Sequence, residues 1–384
     1  MRPILLVSDC HISPLHGDGT AEDLARLLAA NPEAELVLNG DTWDLSWDVP
    51  GRLASETISE WVRQAPRLAQ AMAERLARGA PITIVVGNHD AALSDRAVLG
   101  ALQAALNVPG EAPLRVASWW TRRGMLHIEH GHFFDPDNAP LFPLGAPHRQ
   151  RDEPLGVALT RRFVAPNRAF TFAHAHETTP LAGLWHSLRH FGPRALRIIH
   201  EYYGTALTLT LEATRRQRTY DHEAAAAAWR DLACAQSELA PVEAVGQIVK
   251  LLPTPTHARG CATFERLYLD RSLALAAVCF GLVAPVPALP GALAGCCGGA
   301  YLALSLLRGR NRYAGNLETR LESAACAIAE ITRAKRVVFG HTHEAQSRGP
   351  YINLGSFGMA RNGARSWAYA NEHGHVSLEQ FRVA

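Results

Sequence analysis

Five short apolar runs in this chain each end in a cluster of Asp, Asn or His, and that repeated ending restricts the fold more than any other feature. Pro3 to Ser8 reads PILLVS and leads into Asp9, Cys10 and His11. Glu35 to Asn39 reads ELVLN and leads into Gly40, Asp41, Thr42, Trp43 and Asp44. Pro81 to Val86 (PITIVV) precedes Gly87, Asn88, His89 and Asp90, and Met125 to Glu129 (MLHIE) precedes His130, Gly131 and His132. Arg336 to Phe339 (RVVF) precedes Gly340, His341, Thr342 and His343. Short β-branched runs bounded by Gly or polar groups read as buried strands. Open α/β sheets build their sites just beyond the carboxyl ends of such strands. The pattern predicts an α/β fold in which five strand ends supply one site.

The residue types define the chemistry of that site. Carboxylate oxygens combined with imidazole and amide groups suit Mn, Fe, Zn or similar divalent ions, not a thiolate centre. A pair of such ions clamps a phosphoryl group and lowers the pKa of a water between them. A carboxylate that bridges two ions needs both oxygens available, and Asp41, following Gly40, is the candidate.

Taken in order, the motifs DxH, GDxxD, GNHD, HGH and GHTH resemble those of the calcineurin-like metallophosphoesterase superfamily, over residues 1–135 and 335–360. The resemblance implies a four-layer α/β/β/α sandwich and a dinuclear centre, with manganese the first choice and Fe, Zn, Ni or Co as alternatives. It implies that Asp9, His11 and His343 bind the first metal, that Asn88, His130 and His341 bind the second, and that Asp41 bridges them. A hydroxide bridging the metals would attack phosphorus. His89 would protonate the leaving oxygen, and Asp90 would orient His89. His132 is a further donor close to the metals. Asp44 either bonds a ligand or caps the following helix. Cys10 faces the opposite side of its strand and belongs to the core. With every ligand position filled, a catalytically silent scaffold is the weaker reading.

GDTWDLSW also resembles the second motif of the UDP-2,3-diacylglucosamine hydrolase-like branch, whose members cleave a pyrophosphate in a lipid-linked nucleotide. That branch carries Arg in its third motif, where this chain has His89.

More than two hundred residues separate His130 from His341, far more than a loop requires. From Pro147 to Tyr220 there are eleven Arg against five acidic residues, interleaved with aromatics and His such as Phe163, Phe170, Phe172, His174, His176, Trp185, His186, His190 and Phe191. Such a surface suits phosphates, nucleic acid or lipid headgroups, and Arg161 and Arg162 are the candidate substrate contacts. Its plainer alternative is a helical cap with a solvated Arg face. Helices are predicted over Asp221–Glu238 and Pro241–Leu252.

Ser272 to Leu307 then contains no charged residue at all. Pro285, Pro287, Pro290 and Gly291 interrupt it, predicting two apolar arms folded back on one another. His341 and His343 must return to the site of Asp9, so the pair is either a membrane hairpin, shallow or spanning, or a buried soluble helix pair. Arg308, Arg310 and Arg312 would favour anionic headgroups. The predicted division is 1–146 and 309–384 for the catalytic core, 147–270 for a basic helical cap and 271–308 for the hairpin.

The formal charge of +2 argues against a dedicated nucleic-acid binder. Seven scattered cysteines suggest reduced thiols, and the first residues lack a secretory leader, so the cytoplasm or the inner face of its membrane is the expected location. The expected activity is hydrolysis of a phosphoric ester or pyrophosphate bond in a lipid-linked or membrane-embedded substrate. The alternative is a soluble nucleotide or nucleic-acid phosphodiesterase. The sequence identifies no protein partner.

Overall fold

The computed structural model describes residues 2–14, 19–47, 52–122, 124–141, 153–169, 185, 188–218, 222–235, 242–283, 289–307 and 316–382. Strands β1 (Ile4–Val7), β2 (Glu35–Asn39), β3 (Ile82–Val85) and β4 (Leu114–Ala117) pair in parallel, as buried apolar runs should. A second sheet contains β5 (Trp120–Arg122), β6 (Leu126–Ile128), β7 (Arg336–Phe339), β8 (Ala345–Arg348) and β9 (Tyr351–Leu354), in the order β5-β6-β7-β9-β8. The last strands, β10 (Ala364–Ala370) and β11 (Val376–Arg382), complete the first sheet, whose order is β11-β10-β1-β2-β3-β4.

Residues 350–357 and the alternating stretch 363–383 read as terminal strands completing the second sheet; β9 of the first stretch does lie there, but β10 and β11 of the other lie in the first sheet. β10 pairs antiparallel with β1, placing Leu6 opposite Ala368 and Ile4 opposite Ala370. Small side chains at Ala368 and Ala370 fit the narrow space between the sheets.

The core lies between the two sheets. Ile4, Leu6, Val37 and Val85 from the first meet Leu126, Ile128, Val338, Ile352 and Leu354 from the second. Alternation along β1 sends Ile4 and Leu6 to this core and leaves Leu5 and Val7 to the other face. Full burial of each such side chain contributes about 2 kcal/mol. Helices α1 (Thr20–Ala30), α2 (Ala54–Gln64), α3 (Pro66–Ala77) and α4 (Arg96–Ala105) follow the early strands, α1 packing on α3 and α2 on α4. Pro66 opens α3 at a position where its missing N–H costs nothing, and the Asp95 side chain caps α4 by accepting from Ala97 N at 2.8 Å. This is the α/β sandwich expected of the motifs, with a large helical insertion.

The insertion holds α5 (Leu155–Leu159), which runs into a π-helical turn at Thr160–Val164, then α6 (Ala195–Gln217), α7 (His222–Ala235), α8 (Val242–Ile248), α9 (Gly260–Arg266), α10 (Leu269–Val283) and α11 (Leu289–Leu307). Helix α12 (Asn316–Thr332) then leads into β7. The chain forms two compact units, Met1–Glu153 with Asp221–Pro253 and Glu318–Ala384, and Pro154–Tyr220 with Thr254–Leu317. Residues Asp221–Pro253, assigned from sequence to the cap, therefore group with the sheets: Trp229 stacks on Trp119 at 6.4 Å and meets Phe133 edge-on at 4.9 Å. The helical unit has its own core of Leu155, Leu159, Phe163, Ile198, Leu209 and Leu267. Pro290 and Gly291 do not break a helix but sit in the first turn of α11, where Pro is tolerated. Pro285, Pro287, Phe170, Phe172, His174, His176, His186, Arg308, Arg310 and Arg312 lie outside the described residues.

Candidate metal centre

The five strand ends converge because β1, β2 and β3 are neighbours in one sheet while β6 and β7 are neighbours in the other. Main-chain bonds carry the pairing into the motifs: Asp9 N to Gly40 O at 3.1 Å, His11 N to Asp41 O at 2.8 Å, and Gly340 N to His130 O at 3.0 Å. Asp9, His11, Asp41, His341 and His343 all have φ between 48° and 72°. That left-handed region costs an ordinary residue about 1–2 kcal/mol, so the surrounding pairing holds these side chains in directions a relaxed strand would not give. Two glycines allow the close approach. A Cβ on Gly40 would overlap the His130 imidazole, and one on Gly87 would overlap the Asp41 carboxylate.

The candidate ligands form two adjoining groups. In one, His343 Nε2 is 3.1 Å from Asp9 Oδ1 and 3.2 Å from His11 Nε2. In the other, His130 Nε2 is 3.2 Å from Asp41 Oδ2 and 3.9 Å from Asp9 Oδ1. Asp41 Oδ2 also lies 3.9 Å from His11 Nε2, while Asp41 Oδ1 accepts from His89 N at 2.8 Å. Asp9, His11 and His343, and likewise Asp9, Asp41 and His130, each converge closely enough to hold one ion. Asn88 donates through Nδ2 to Asn138 Oδ1 at 3.2 Å, which leaves its carbonyl oxygen as the donor atom.

Neighbouring groups fix which atom each imidazole presents. His130 Nδ1 donates to Asn39 O at 2.9 Å, turning Nε2 towards Asp41. His341 Nε2 donates to Asp135 Oδ2 at 2.9 Å, leaving Nδ1 as its other ring nitrogen, and His341 is in neither converging group. Asp135 was missed in the sequence; its signal was position alone, since a carboxylate soon after a ligand-bearing turn is a common orienting partner. Asp44 reaches His11 Nδ1 at 3.3 Å and His89 Nδ1 at 2.8 Å. The choice left open for Asp44 thus falls to bonding a candidate ligand.

Asp90 does not orient His89, contrary to the sequence expectation. Its two oxygens accept from the main-chain N–H groups of Gly87 and Thr42, both at 2.7 Å. The adjacent residues point apart because the turn after β3 uses Asp90 to tie itself to the turn after β2. His132 is buried against Phe133, with ring centroids 4.1 Å apart, and lies behind His130 instead of in either converging group. Cys10 is buried, as expected for the strand's other face.

Asp9 Oδ1, Asn88 Oδ1 and His130 Nε2 are buried without a well-aligned hydrogen-bond partner among the described residues. Buried oxygen and imidazole atoms that meet like ligand atoms of their neighbours without aligned hydrogen bonds fit divalent cations better than a purely structural polar network. The calcineurin-like phosphoesterase family model matches residues 2–210, more than half of the 384-residue chain. The chain belongs to the calcineurin-like phosphoesterase family. It is a metal-dependent phosphohydrolase. The matched span includes Asp9, His11, Asp41, Asn88 and His130 and ends before His341 and His343, which the second sheet supplies. No curated protein matches the chain.

The electrostatics of this phosphoesterase suit cation binding. Burial opposes charge on His130, but Asp41 and Asp9 outweigh it and raise its pKa to about 10. Burial likewise opposes charge on His89, and Asp44 with Asp41 raises it to about 9. Asp9 and Asp135, although buried, are drawn down to about 2 by neighbouring imidazoles. The carboxylates thus stay ionised and draw positive charge inward. Arg161 and Arg162 lie in the π-turn of the helical unit, where Arg162 donates to Glu212 Oε1 at 2.9 Å.

Proposed function

We propose that this phosphoesterase hydrolyses a phosphoric ester or pyrophosphate bond in a lipid-linked or membrane-embedded substrate, with His89 as the general acid. Asp9, His11 and His343 would hold one divalent cation and Asn88, His130 and His341 the other, with Asp41 shared; manganese is the metal assigned. Bound there, the cations would polarise the phosphoryl oxygens and activate water for in-line attack. The observation that carries the reading is the pairing of His89 with Asp44. This carboxylate fixes Nδ1 as a donor, keeps the ring protonated at neutral pH and leaves Nε2–H for the leaving group. As the bond from phosphorus to the leaving oxygen breaks, that proton passes to the oxygen, and Asp44 holds the neutral ring as its Nδ1–H tautomer until Nε2 takes a proton from water. Asp135 and Asn39 O hold His341 and His130 in their ligand tautomers throughout. Asp90 holds the two turns together. The apolar surface of the helical unit supports the lipid-linked substrate class, and Arg161 and Arg162 are that unit's candidates for contact with anionic groups.

The test is a substrate panel of lipid phosphates, sugar-nucleotide lipids and free nucleotides, assayed with manganese-loaded protein. Activity on a lipid-linked substrate that depends on mixed micelles is the expected result. Equal or better turnover of free nucleotides without detergent would instead support the soluble phosphodiesterase. Full activity of D41N on every substrate would reject the two-cation reading.

A further inference from the structure

Ser272 to Leu307 carries no charged side chain, and within it α10 and α11 form an antiparallel pair of unusual composition. The two helices meet through small residues, Gly281 against Gly291 and Gly295, and Gly298 against Ala274. The buried residues of α11 are Gly291, Gly298 and Ser305, spaced by seven along one face. Large side chains point outward: Leu289, Leu293 and Leu304 on α11 and Phe280, Leu282 and Val283 on α10 are all exposed. A helix pair in water buries its large apolar residues and exposes polar ones. Here the order is inverted, as it is where lipid surrounds helices held together by close backbone approach. By length and composition α11 could cross a membrane, and only 17% of its apolar window is buried, unlike the core helix of a soluble protein.

Polar contacts gather at the ends of the two helices remote from Val283 and Leu289. Tyr301 OH donates to Asp270 Oδ2 at 2.6 Å, Arg271 Nε donates to Ser305 Oγ at 3.0 Å, and the Arg271 guanidinium lies 4.4 Å from the Tyr268 ring centre. Tyr203 of α6 bonds Ser272 Oγ at 2.8 Å. Tyrosine, with an apolar ring and a polar tip, suits the headgroup layer of a membrane. Tyr203, Leu207 and Leu211, four residues apart and exposed, continue the apolar surface along α6 from that belt. From Ser272 to Val283 the arm has about 12 residues, or about 18 Å of helix. A bilayer's hydrocarbon core is about 30 Å thick. Helix α11, with 19 residues, is long enough to cross by itself, but Tyr301 and Ser305 bond Asp270 and Arg271, so the free part of each arm beyond that belt is too short to cross and long enough to fill one leaflet.

We infer that the α10–α11 pair is a monotopic anchor that seats Phe280, Leu282, Val283 and Leu289 in one leaflet of a phospholipid bilayer, with the tyrosine belt at the headgroups. The inference is independent of the reaction assigned to the metal centre.

The chain carries its own reporters. Cys279, Cys296 and Cys297 are exposed on the hairpin, and Cys234 is exposed on α7. Full-length protein is treated with a membrane-impermeant maleimide, with and without vesicles of phosphatidylcholine and phosphatidylglycerol, and labelling is read at each cysteine by mass spectrometry. Vesicles should protect the three hairpin thiols and leave Cys234 unchanged. The double variant L282E/V283E alters two exposed side chains, so its circular dichroism should match the parent while vesicle partitioning falls at least about tenfold. Unchanged labelling with vesicles, or flotation of the variant equal to the parent, overturns the inference. So does protection without vesicles that grows with protein concentration, which would mark a contact between copies. Labelling of V283C by a reagent trapped inside the vesicles would show a spanning hairpin and overturn the one-leaflet placement.

Discussion

Asp44 accepts a hydrogen bond from His89 Nδ1 at 2.8 Å, and its second oxygen lies 3.3 Å from His11 Nδ1. One carboxylate therefore links the candidate acid to a candidate ligand. Burial alone would lower the pKa of His89, and Asp44 is the larger of the two carboxylates that raise it to about 9. His89 is protonated below that value and loses its acid function as pH rises through it. In D44N the alkaline limb of the kcat profile should move to lower pH, towards the ordinary histidine value of about 6.5. A limb that stays in place would remove His89 as the acid.

D90N should behave differently. Asp90 accepts from Gly87 N and Thr42 N, and an amide has one acceptor oxygen for two donors. Leaving one buried N–H unsatisfied costs about 1–3 kcal/mol. Calorimetry should show a lower Tm, while the alkaline limb keeps its pH.

The Asp135–His341 bond occupies Nε2, so a metal held by His341, as proposed, would meet Nδ1. Loss of such an orienting partner typically costs about 10–100-fold in metal affinity. D135N should fall in that range when manganese binding is measured by titration calorimetry, with the fold intact by circular dichroism. Parent-like affinity would assign Asp135 a purely structural role.

G87A places a methyl group where the Asp41 carboxylate sits. Asp41 must move, and with it the group shared between the two cation positions. Metal content by elemental analysis should drop from two ions per chain, while a control alanine at Gly100, which has open space around it, should leave loading unchanged.

Metal removal should change how stability depends on pH. With the cations chelated, the raised pKa values of His89 and His130 contribute stability that is complete below about pH 6.5 and lost as pH rises through about 9 and about 10. Asp9 and Asp135 act in the opposite range, their contribution being lost as pH falls through about 2. The Tm of chelated protein should decline from pH 7 to pH 10. A cation held by His130 would take the place of its proton, so loaded protein should show a flatter profile over the same interval.

The strand ends were legible in the sequence because each is local: a β-branched run, a glycine and a polar cluster within about ten residues. The gathering of Asp9, Asp41, His130 and His343 follows once those ends share neighbouring strands. Pairings decided by tertiary approach were not legible. Adjacency favoured Asp90 as the partner of His89, but a turn sends neighbouring side chains in different directions, and Asp44 arrives from another strand end. Asp135 is separated from His341 by 206 positions, and nothing local marks their contact. The alternating pattern of β10 and β11 identified strands without identifying their sheet, because alternation specifies a buried face and not a partner.

The left-handed backbone at Asp9, His11, Asp41, His341 and His343 bears on which side chains these positions can accept. Apart from glycine, the residues that enter that conformation most readily are asparagine, aspartate and histidine. These are also the residues that present hard oxygen or imidazole nitrogen to a divalent ion. At these five positions conformation and coordination admit the same narrow alphabet, so a valine or isoleucine is excluded by the main chain before any cation is considered.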